Sequence, residues 1–384
     1  MENINVYSVK IFLESPLILT TSIERNIYQS NINFIPGKTL RGAILSKFYR
    51  DGFKDVVNES NNPTLIFHPA YPFIEGKTSV IAHAFTYKRK IGDGEILSIL
   101  DDDLELLKNG RIVEKIPLLA ENIQGEILFK NGKKYEIIEL EKVRLESTSI
   151  DKNLGKAREG MLYTYEAVVP WVKIDDKTFN IYFSSKIVDV GNRFQEYLEK
   201  SFEKNGDTYE SKIYIGKGIS RGFGEAKILI RREEIDLEKR ASEIEEFIEK
   251  RKIVVIKSYT PFVDFTITNM GLASKQYIEL IDLGNDWIGE QGRLKIMSIS
   301  LNEEERILCY GRTALFSGWS VKLNKPKPVF TTSMIGSLYV YSIFDSNYNS
   351  IARGLAKAEL IGLNKLSSIG LNIPFILLKD PLGD

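Results

Sequence analysis

The sequence predicts an α+β protein built from two related halves. Runs rich in Val, Ile, Tyr and Phe at residues 6–14 and 252–263 indicate strands, and each run ends at a hydroxyl residue followed by proline. In each half a glycine-marked loop, residues 216–224 or 362–372, precedes another strand-like run. These parallels predict a degenerate internal duplication, with a chance match between short segments as the alternative.

An alignment of the two halves gives residue pairs that a structure can test. When Pro16 is aligned with Pro261, Ser15 falls on Thr260. In a separate comparison of the two glycine loops, Asn372 stands where the first loop ends in Gly224. The loops are therefore predicted to be related in position but not in every residue.

The spacing of apolar residues predicts the main helices. After Pro36 a helix is predicted because Leu40, Ile44, Leu45 and Phe48 recur at helical spacing. An amphipathic helix is predicted between the halves from four apolar residues spaced four, three and four apart, with Glu and Lys between them: Leu237, Ala241, Ile244 and Ile248.

These elements set the predicted domain boundaries. Residues 1–232 form a first domain, residues 233–251 a connecting helix, and residues 252–384 a second, degenerate domain. The first domain is longer, and an inserted helix and hairpin around residues 91–141, with a turn at Asn131–Gly132, account for the excess.

Composition excludes several classes of protein. The 384 residues include 52 basic and 52 acidic side chains, so the chain is not a basic protein that coats nucleic acid. Its single cysteine, Cys309, excludes an intramolecular disulfide and predicts a reducing, cytoplasmic location. With only His68 and His83 besides, a four-ligand Cys/His zinc site is impossible. No metal site, cofactor or membrane span is predicted.

Residues 216–224 carry the strongest local signal. Four glycines in nine residues let the backbone approach a ligand and adopt positive φ. A strand follows the loop, whereas a dinucleotide fingerprint requires a helix. We predict that Lys217, Gly218, Arg221 and Gly222 contact a sugar-phosphate backbone. A purely structural glycine turn is the alternative.

The start of the first predicted helix is a second candidate site. Lys38 and Arg41 lie where free backbone N–H groups attract a phosphate. An NTPase phosphate loop is excluded, because Ile32 stands where that motif requires glycine. The alternative is an ordinary helix start with solvated basic residues.

A third basic segment lies in a predicted polar loop at residues 147–163, between two strand-like runs. Lys152, Lys156 and Arg158 are placed to reach phosphates from this loop. A solvated hairpin tip is the alternative and the commoner case.

Candidate catalytic residues are few. His68 and His83 lie among Phe, Pro and Ala, so packed structural histidines are favoured over an acid or a base. Cys309 follows Ile and Leu and is predicted to pack as a small hydrophobic residue. No catalytic residue is predicted.

Taken in order, these segments resemble the RAMP superfamily of CRISPR effector proteins. Residues 34–43 resemble its strand-loop-helix segment, and residues 216–224 resemble its glycine-rich loop. The remaining similarity lies in a central hairpin signature and in second-half motifs: Ile150, Asp151, Gly155, Ala157, Gly160, Leu162, Tyr163 and Glu166, and residues 316–320, 325–328 and 335–339.

The resemblance implies two tandem ferredoxin-like, RNA-recognition-type domains with insertions. It implies a non-catalytic subunit of a type III complex, of a III-D-like branch, that holds the 5′ handle of the CRISPR RNA and nucleates assembly in antiviral defence. The implied partners are CRISPR RNA, a large polymerase/cyclase-like subunit and backbone RAMP subunits. Trp319 or Tyr163 is implied as a base-stacking residue, although core packing is favoured for Trp319.

One departure from the family pattern concerns the second loop. It keeps Gly362 and Gly370 but has Asn372 where the final glycine would match Gly224. This departure casts doubt on an RNA contact there and favours a role in the fold or against a partner.

Two other functions stay open. A RAMP endoribonuclease that processes precursor CRISPR RNA needs an acid and a base, commonly a histidine near the first helix, and the helix after Pro36 has none. A backbone RAMP subunit that cuts target RNA with a loop aspartate usually has one domain, which argues against it here.

Overall fold

The structure, a computed structural model, divides into two compact units. Residues 1–79 and 137–234 make up the first unit, and residues 80–136 and 235–384 make up the second. The structure describes the following residues: 4–19, 22–24, 27–29, 33–74, 79–101, 104–109, 111–150, 157–174, 177–263, 294–296, 298–301, 304–316, 319–320, 325–326, 330–343 and 347–382.

The described residues form α-helices, short 3-10 turns and many strands. The helices are α1 (Gly37–Arg50), α2 (Glu105–Lys108), α3 (Phe194–Ser201), α4 (Leu237–Arg251) and α5 (Tyr348–Ile361), and the 3-10 turns are Lys54–Ser60, Arg111–Lys115, Ile219–Arg221 and Lys365–Ile369. The first fifteen strands are β1 (Asn5–Leu13), β2 (Ser22–Glu24), β3 (Ile27–Gln29), β4 (Leu65–Phe67), β5 (Tyr71–Phe73), β6 (Ser79–Ile81), β7 (Thr86–Arg89), β8 (Ile96–Ser98), β9 (Ala120–Asn122), β10 (Ile127–Asn131), β11 (Lys134–Ile137), β12 (Lys142–Ile150), β13 (Ala157–Val168), β14 (Trp171–Ile174) and β15 (Lys177–Asn180). The others are β16 (Tyr182–Asp189), β17 (Glu203–Asn205), β18 (Thr208–Tyr214), β19 (Glu225–Glu233), β20 (Ile253–Ser258), β21 (Leu294–Ile296), β22 (Ser298–Leu301), β23 (Glu304–Ile307), β24 (Cys309–Tyr310), β25 (Thr313–Phe316), β26 (Trp319–Ser320), β27 (Lys325–Pro326), β28 (Phe330–Ser333), β29 (Leu338–Ile343) and β30 (Pro374–Ile376).

The first unit is built on an antiparallel sheet with the strand order β17-β18-β19-β1-β16-β4, in which β5 also pairs with β16. In β1 the buried Val9 and Ile11 alternate with the exposed Lys10, as expected of a strand with one covered face. The chain passes through β1, α1, β4, β16, α3 and β19 in that order.

Helix α1 covers this sheet through its apolar residues. Leu40, Ile44 and Phe48 are fully buried, which confirms the spacing seen in the sequence. The Phe48 ring lies 5.8 Å from Phe194 and 5.2 Å from Tyr197, centroid to centroid, so α1 and α3 share an aromatic contact.

A second sheet in the first unit contains the long hairpin β12–β13, which pairs along most of its length. The predicted polar loop at residues 147–163 is therefore much shorter, since Ile150 already pairs with Ala157. The sequence prediction missed these strand ends because the residues there are mostly polar.

The second unit has an antiparallel sheet with the order β21-β29-β20-β30, and β24 also pairs with β29. Every residue of β20 is buried. The predicted connecting helix is present as α4, whose first turn is capped where the Asp236 carboxylate accepts from Lys239 N at 2.9 Å. Mixed helices and antiparallel sheets confirm the α+β class.

The inserted segment belongs with the second unit, whereas the sequence predicts residues 91–141 as part of the first domain. Residues 80–136 group with residues 235–384. Leu104 and Leu107 lie in one hydrophobic core with Ile253 and Val255, so apolar burial explains the difference. The predicted Asn131–Gly132 turn joins β10 to β11.

An ion pair between Arg240 and Glu359 forms hydrogen bonds with the backbone at the outer edge of β30. Arg240 of α4 donates from Nε and Nη2 to the Glu359 carboxylate of α5, both at 2.8 Å. Arg240 also donates to Ile376 O at 2.9 Å, and Ile376 N donates to Glu359 at 2.7 Å. Side chains thus satisfy the edge groups that another strand would otherwise pair with. Among the described helices, none has the length and apolar content needed to cross a membrane.

Candidate nucleic-acid interface

The glycine loop at residues 216–224 joins β18 to β19 and contains a short 3-10 turn. Gly218 and Gly222 flank the turn with φ values of +77° and +87°, which residues other than glycine rarely adopt. Arg221 N donates to Gly218 O at 2.8 Å, and Gly222 N donates to Ile219 O at 3.1 Å. The loop is therefore a folded turn with fixed backbone groups.

Backbone hydrogen bonds attach the loop to the segment that follows β1. Gly224 N donates to Pro16 O at 2.9 Å, and Lys217 N donates to Ile18 O at 3.1 Å. Glu225 N donates to Ser15 Oγ at 2.8 Å. These bonds hold both ends of the loop against one strand extension.

Three of the four glycines in the loop serve two different purposes. A Cβ on Gly224, where φ is +75°, would collide with the carbonyl oxygen of Ile215, and one on Gly216 would collide with that of Ile18. At Gly222 a Cβ would meet open space. Gly216 and Gly224 thus allow the loop to close, and Gly222 leaves its outer surface unobstructed.

The two basic side chains of the loop are exposed. Lys217 and Arg221 both lie at the surface, and Ile219 between them is 45% exposed. Partial desolvation lowers the pKa of Lys217 from its ordinary value. An anion bound beside this ammonium group would raise that pKa again.

Strand β13 supplies an aromatic contact to the loop. Arg221 Nη2 donates to Tyr165 OH at 3.2 Å, and the guanidinium lies 5.0 Å from the centroid of the Tyr165 ring. Leu17 and Val168 exchange backbone hydrogen bonds of 2.8 Å, which fix β13 beside the same strand extension. Sequence reasoning missed Tyr165, because nothing local pairs it with a residue 56 positions away.

The start of α1 places its two predicted residues in different settings. Lys38 is half-buried in the first turn after Pro36, which provides no side-chain cap. Arg41 is also half-buried, and its Nη2 donates to Glu59 O. Burial lowers the pKa of Arg41. Its guanidinium therefore stabilises the turn Lys54–Ser60 against α1, a role that the sequence did not indicate.

The other residues that the sequence predicts to contact RNA fall wholly or partly outside the described part of the structure. Lys156 lies outside the described residues, as does Lys152. Arg158 and Tyr163 belong to β13 and Trp319 to β26, but their side chains lie outside the described part of the structure. The described residues thus bring together Lys217, Gly218, Arg221 and Gly222 in one loop.

Both histidines are buried. His83 Nδ1 accepts from Phe85 N at 3.1 Å, which leaves Nε2 to donate to Asp380 Oδ1 at 3.3 Å. Burial lowers the pKa of His83 although Asp380 opposes the shift. His68 is 5% exposed. In the described residues no group of three or more His, Cys, Asp or Glu side chains is arranged to hold a metal ion.

Solved structures similar to this chain include chains of type III CRISPR complexes. A type III-B Cmr-beta complex bound to cognate target RNA and AMPPnP contains a chain at 13% identity and a TM-score of 0.41, covering 87% of this chain and 86% of that one. The Csm3-Csm4 subcomplex of a type III-A interference complex gives 12% identity and a TM-score of 0.37, covering 88% and 94%. Oligomeric Cmr4 from Pyrococcus furiosus shows 14% identity and a TM-score of 0.26, and the match covers 59% of this chain and 98% of that one.

These likenesses are too weak to establish a common family. No protein-family model matches the chain, and no curated protein matches it. The functional interpretation therefore depends on the chain's own residues and motifs.

Proposed function

We propose that this protein is a non-catalytic, RNA-binding subunit of a type III CRISPR ribonucleoprotein that holds the 5′ handle of the CRISPR RNA. In this role it nucleates assembly with a large polymerase/cyclase-like subunit and backbone RAMP subunits. The glycine loop at residues 216–224 is the single observation that carries the proposal. It combines a fixed, exposed backbone with two exposed cations, which is what a sugar-phosphate chain requires.

Strand order supports the tandem ferredoxin-like interpretation. In the first unit the chain order β1, α1, β4, β16, α3, β19 gives the sheet order β19-β1-β16-β4. In the second unit β20, β21, β29, α5 and β30 give the sheet order β30-β20-β29-β21. Each strand thus has the same place in its sheet, as expected of two copies of one domain type.

The settings of the two histidines support a non-catalytic role. A general acid or base must reach the scissile phosphate, and His83 is fully buried with both ring nitrogens engaged. The endoribonuclease alternative would be favoured instead if the purified protein cleaved RNA and if His68→Ala or His83→Ala abolished that cleavage.

The decisive experiment is to purify the tagged protein from its native host and sequence the 5′ ends of the bound RNA. A uniform 5′ end derived from the CRISPR repeat, recovered with several partner proteins, is the expected result. Absence of RNA, or scattered 5′ ends, would contradict the handle-holding role.

Charge reversal tests whether the loop is the RNA site. The double variant Lys217→Glu/Arg221→Glu is expected to weaken binding of the recovered RNA by about tenfold or more and to reduce its salt dependence. The matched control is Lys204→Glu/Lys239→Glu, which reverses two exposed lysines elsewhere on the chain. Equal affinities for the two double variants would remove the loop from the RNA site.

A further inference from the structure

Arg221 of the glycine loop and Tyr165 of β13 are in direct contact. The guanidinium lies 5.0 Å from the Tyr165 ring centroid, and Nη2 lies 3.2 Å from the phenol oxygen. Tyr165 is half-buried, whereas Arg221 is exposed. The guanidinium thus lies within cation–π distance of an aromatic ring, and Arg221 remains accessible to solvent.

The chemistry of this pair differs from that of a phosphate clamp. A guanidinium is flat, weakly hydrated and able to stack on π-systems, whereas a lysine ammonium is a compact point charge. Unpaired RNA bases are commonly held by stacking on aromatic rings or on arginine planes. Lys217 and Arg221 therefore suit different parts of one nucleotide chain.

We propose that Tyr165 and Arg221 form a stacking platform for one unpaired base of the bound RNA, so that Arg221 contacts the base and Lys217 the phosphate backbone. This inference rests on the proposed function, because it assigns a base-binding subsite to the same loop. It adds Tyr165 to the interface and gives Arg221 a role other than charge neutralisation.

The platform is held in place from both sides. Tyr165 pairs with Leu145 of β12 and with Tyr28 of β3, so its backbone lies between two strands. Arg221 ends the 3-10 turn whose backbone bonds to Gly218, and the loop is joined to the segment after β1. A binding group held on paired strands needs little reordering when a ligand arrives.

The surface next to Arg221 leaves space for a flat ligand. Gly222 follows it directly, and no heavy atom outside residues 221–223 lies within 4 Å of the position that a Cβ would take there. Ile219, on the same turn, is 45% exposed and offers an apolar contact. A base could therefore lie against the guanidinium with its edge beside Ile219.

The test measures where a missing base weakens binding. The RNA recovered with the protein is synthesised with one abasic nucleotide at each position in turn, and the affinity of each RNA is measured. With the wild-type protein, one position is expected to show a loss of about tenfold or more, the range for a base stacked on an aromatic side chain.

Variants then assign that loss to the platform. With Arg221→Lys, which keeps the charge, intact RNA is expected to bind about as weakly as the critical abasic RNA, and the abasic penalty disappears. With Lys217→Ala all RNAs should weaken together, the salt slope should fall by about 0.7, and the abasic penalty should persist. Tyr165→Phe, which keeps the ring, should retain the penalty.

Each outcome separates this inference from the proposed function. If the wild-type protein binds the RNA but Arg221→Lys keeps the full abasic penalty, the platform is wrong and the RNA site stands. If no position shows a penalty, the pair only supports the fold and the platform is again wrong. If the wild-type protein binds no RNA, the proposed function fails and the platform fails with it.

Discussion

The two glycine-containing loops, residues 216–224 and 362–372, share a hydrogen-bond pattern but expose different chemistry. Each contains a 3-10 turn that ends at a glycine with positive φ, Gly222 or Gly370. Four hydrogen bonds of the first loop have an equivalent in the second. In the first loop they are Gly224 N to Pro16 O (2.9 Å), Glu225 N to Ser15 Oγ (2.8 Å), Ile215 N to Gly224 O (2.8 Å) and Phe223 N to Gly218 O (3.3 Å). In the second loop, in the same order, they are Asn372 N to Pro261 O (3.1 Å), Ile373 N to Thr260 Oγ1 (2.8 Å), Leu363 N to Asn372 O (2.9 Å) and Leu371 N to Leu366 O (3.3 Å).

This register shows what changed between the loops. Arg221 corresponds to Ile369, and Gly224 corresponds to Asn372. Asn372 is 2% exposed, and its side chain accepts from Val263 N at 2.7 Å and donates to Val263 O at 3.0 Å. The second loop is mostly buried, whereas the first is mostly exposed. One backbone design thus serves an open surface in one unit and internal packing in the other.

The largest effect is expected from Gly224→Ala. A methyl group there would collide with the carbonyl oxygen of Ile215 at a φ of +75°, so we expect a loss of about 4 kcal/mol or more in the free energy of unfolding. The measurement is chemical denaturation. Gly222→Ala is the matched control, because its φ is +87° but no heavy atom outside residues 221–223 lies within 4 Å of the added Cβ, and it should cost about 1 to 2 kcal/mol. Equal losses would show that the close approach at Gly224 is unimportant.

A pH-dependent effect is expected at Lys257, which the alignment places opposite Phe12 of β1. Lys257 is 5% exposed, and burial lowers its pKa to about 8, partly opposed by Asp380. Above pH 8 the folded chain has lost a proton that the unfolded chain keeps up to about pH 10.5, so the stability rises with pH in this window. Below pH 8 both states are protonated, and the buried charge costs about 3 kcal/mol.

Lys257→Met removes that cost and its pH dependence. Relative to the wild type, the variant should be more stable at about pH 7, and its advantage should shrink by about 2 kcal/mol by about pH 9.5. Urea denaturation at several pH values measures the difference between the two proteins, which cancels other groups that titrate near pH 10. A constant difference across the range would contradict a depressed lysine pKa.

A smaller loss is expected from Asn372→Gly, which gives the second loop the residue of the first. Glycine relieves the φ of +54° but leaves Val263 N and O without the Asn372 side chain, so a loss of about 2 kcal/mol is expected in denaturation. The control is Asn192→Gly, an exposed asparagine with a φ of +56°, which should be close to neutral. If both substitutions are neutral, the amide does not hold the second loop.

The elements that local patterns determine can be predicted from the sequence. The helix spacing of Leu40, Ile44 and Phe48, the strand at residues 6–14 and the pairing of Ser15 with Thr260 all depend on short-range patterns or on alignment. Long-range contacts gave no such signal. Leu104 of the insertion packs in the core of the second unit, which the residues around it in sequence do not indicate. The hydrogen bond from Arg41 to Glu59 O is likewise not indicated by the residues next to Arg41 in the sequence.

The candidate site was predicted in part for the same reason. Glycines and cations mark residues 216–224 in the sequence, because backbone freedom and charge are properties of the residues themselves. The pairing of Arg221 with Tyr165 depends on how β13 lies beside the loop, and only the fold provides that. The distinction between glycines that close the loop and glycines that leave it open likewise required the position of Ile215.

The smallest effect is expected from Lys365→Glu, which tests whether the loops have truly diverged. The hydrogen-bond register places Lys365 opposite Lys217, so charge alone would predict equal losses of RNA affinity for the two reversals. Because the second loop has Ile369 opposite Arg221, and because most of its described residues are buried, we expect Lys365→Glu to change the affinity less than about twofold. Lys217→Glu alone should weaken binding several times more. Equal losses at both positions would place the second loop in the RNA site too, since the shared backbone would then have kept one function in both units.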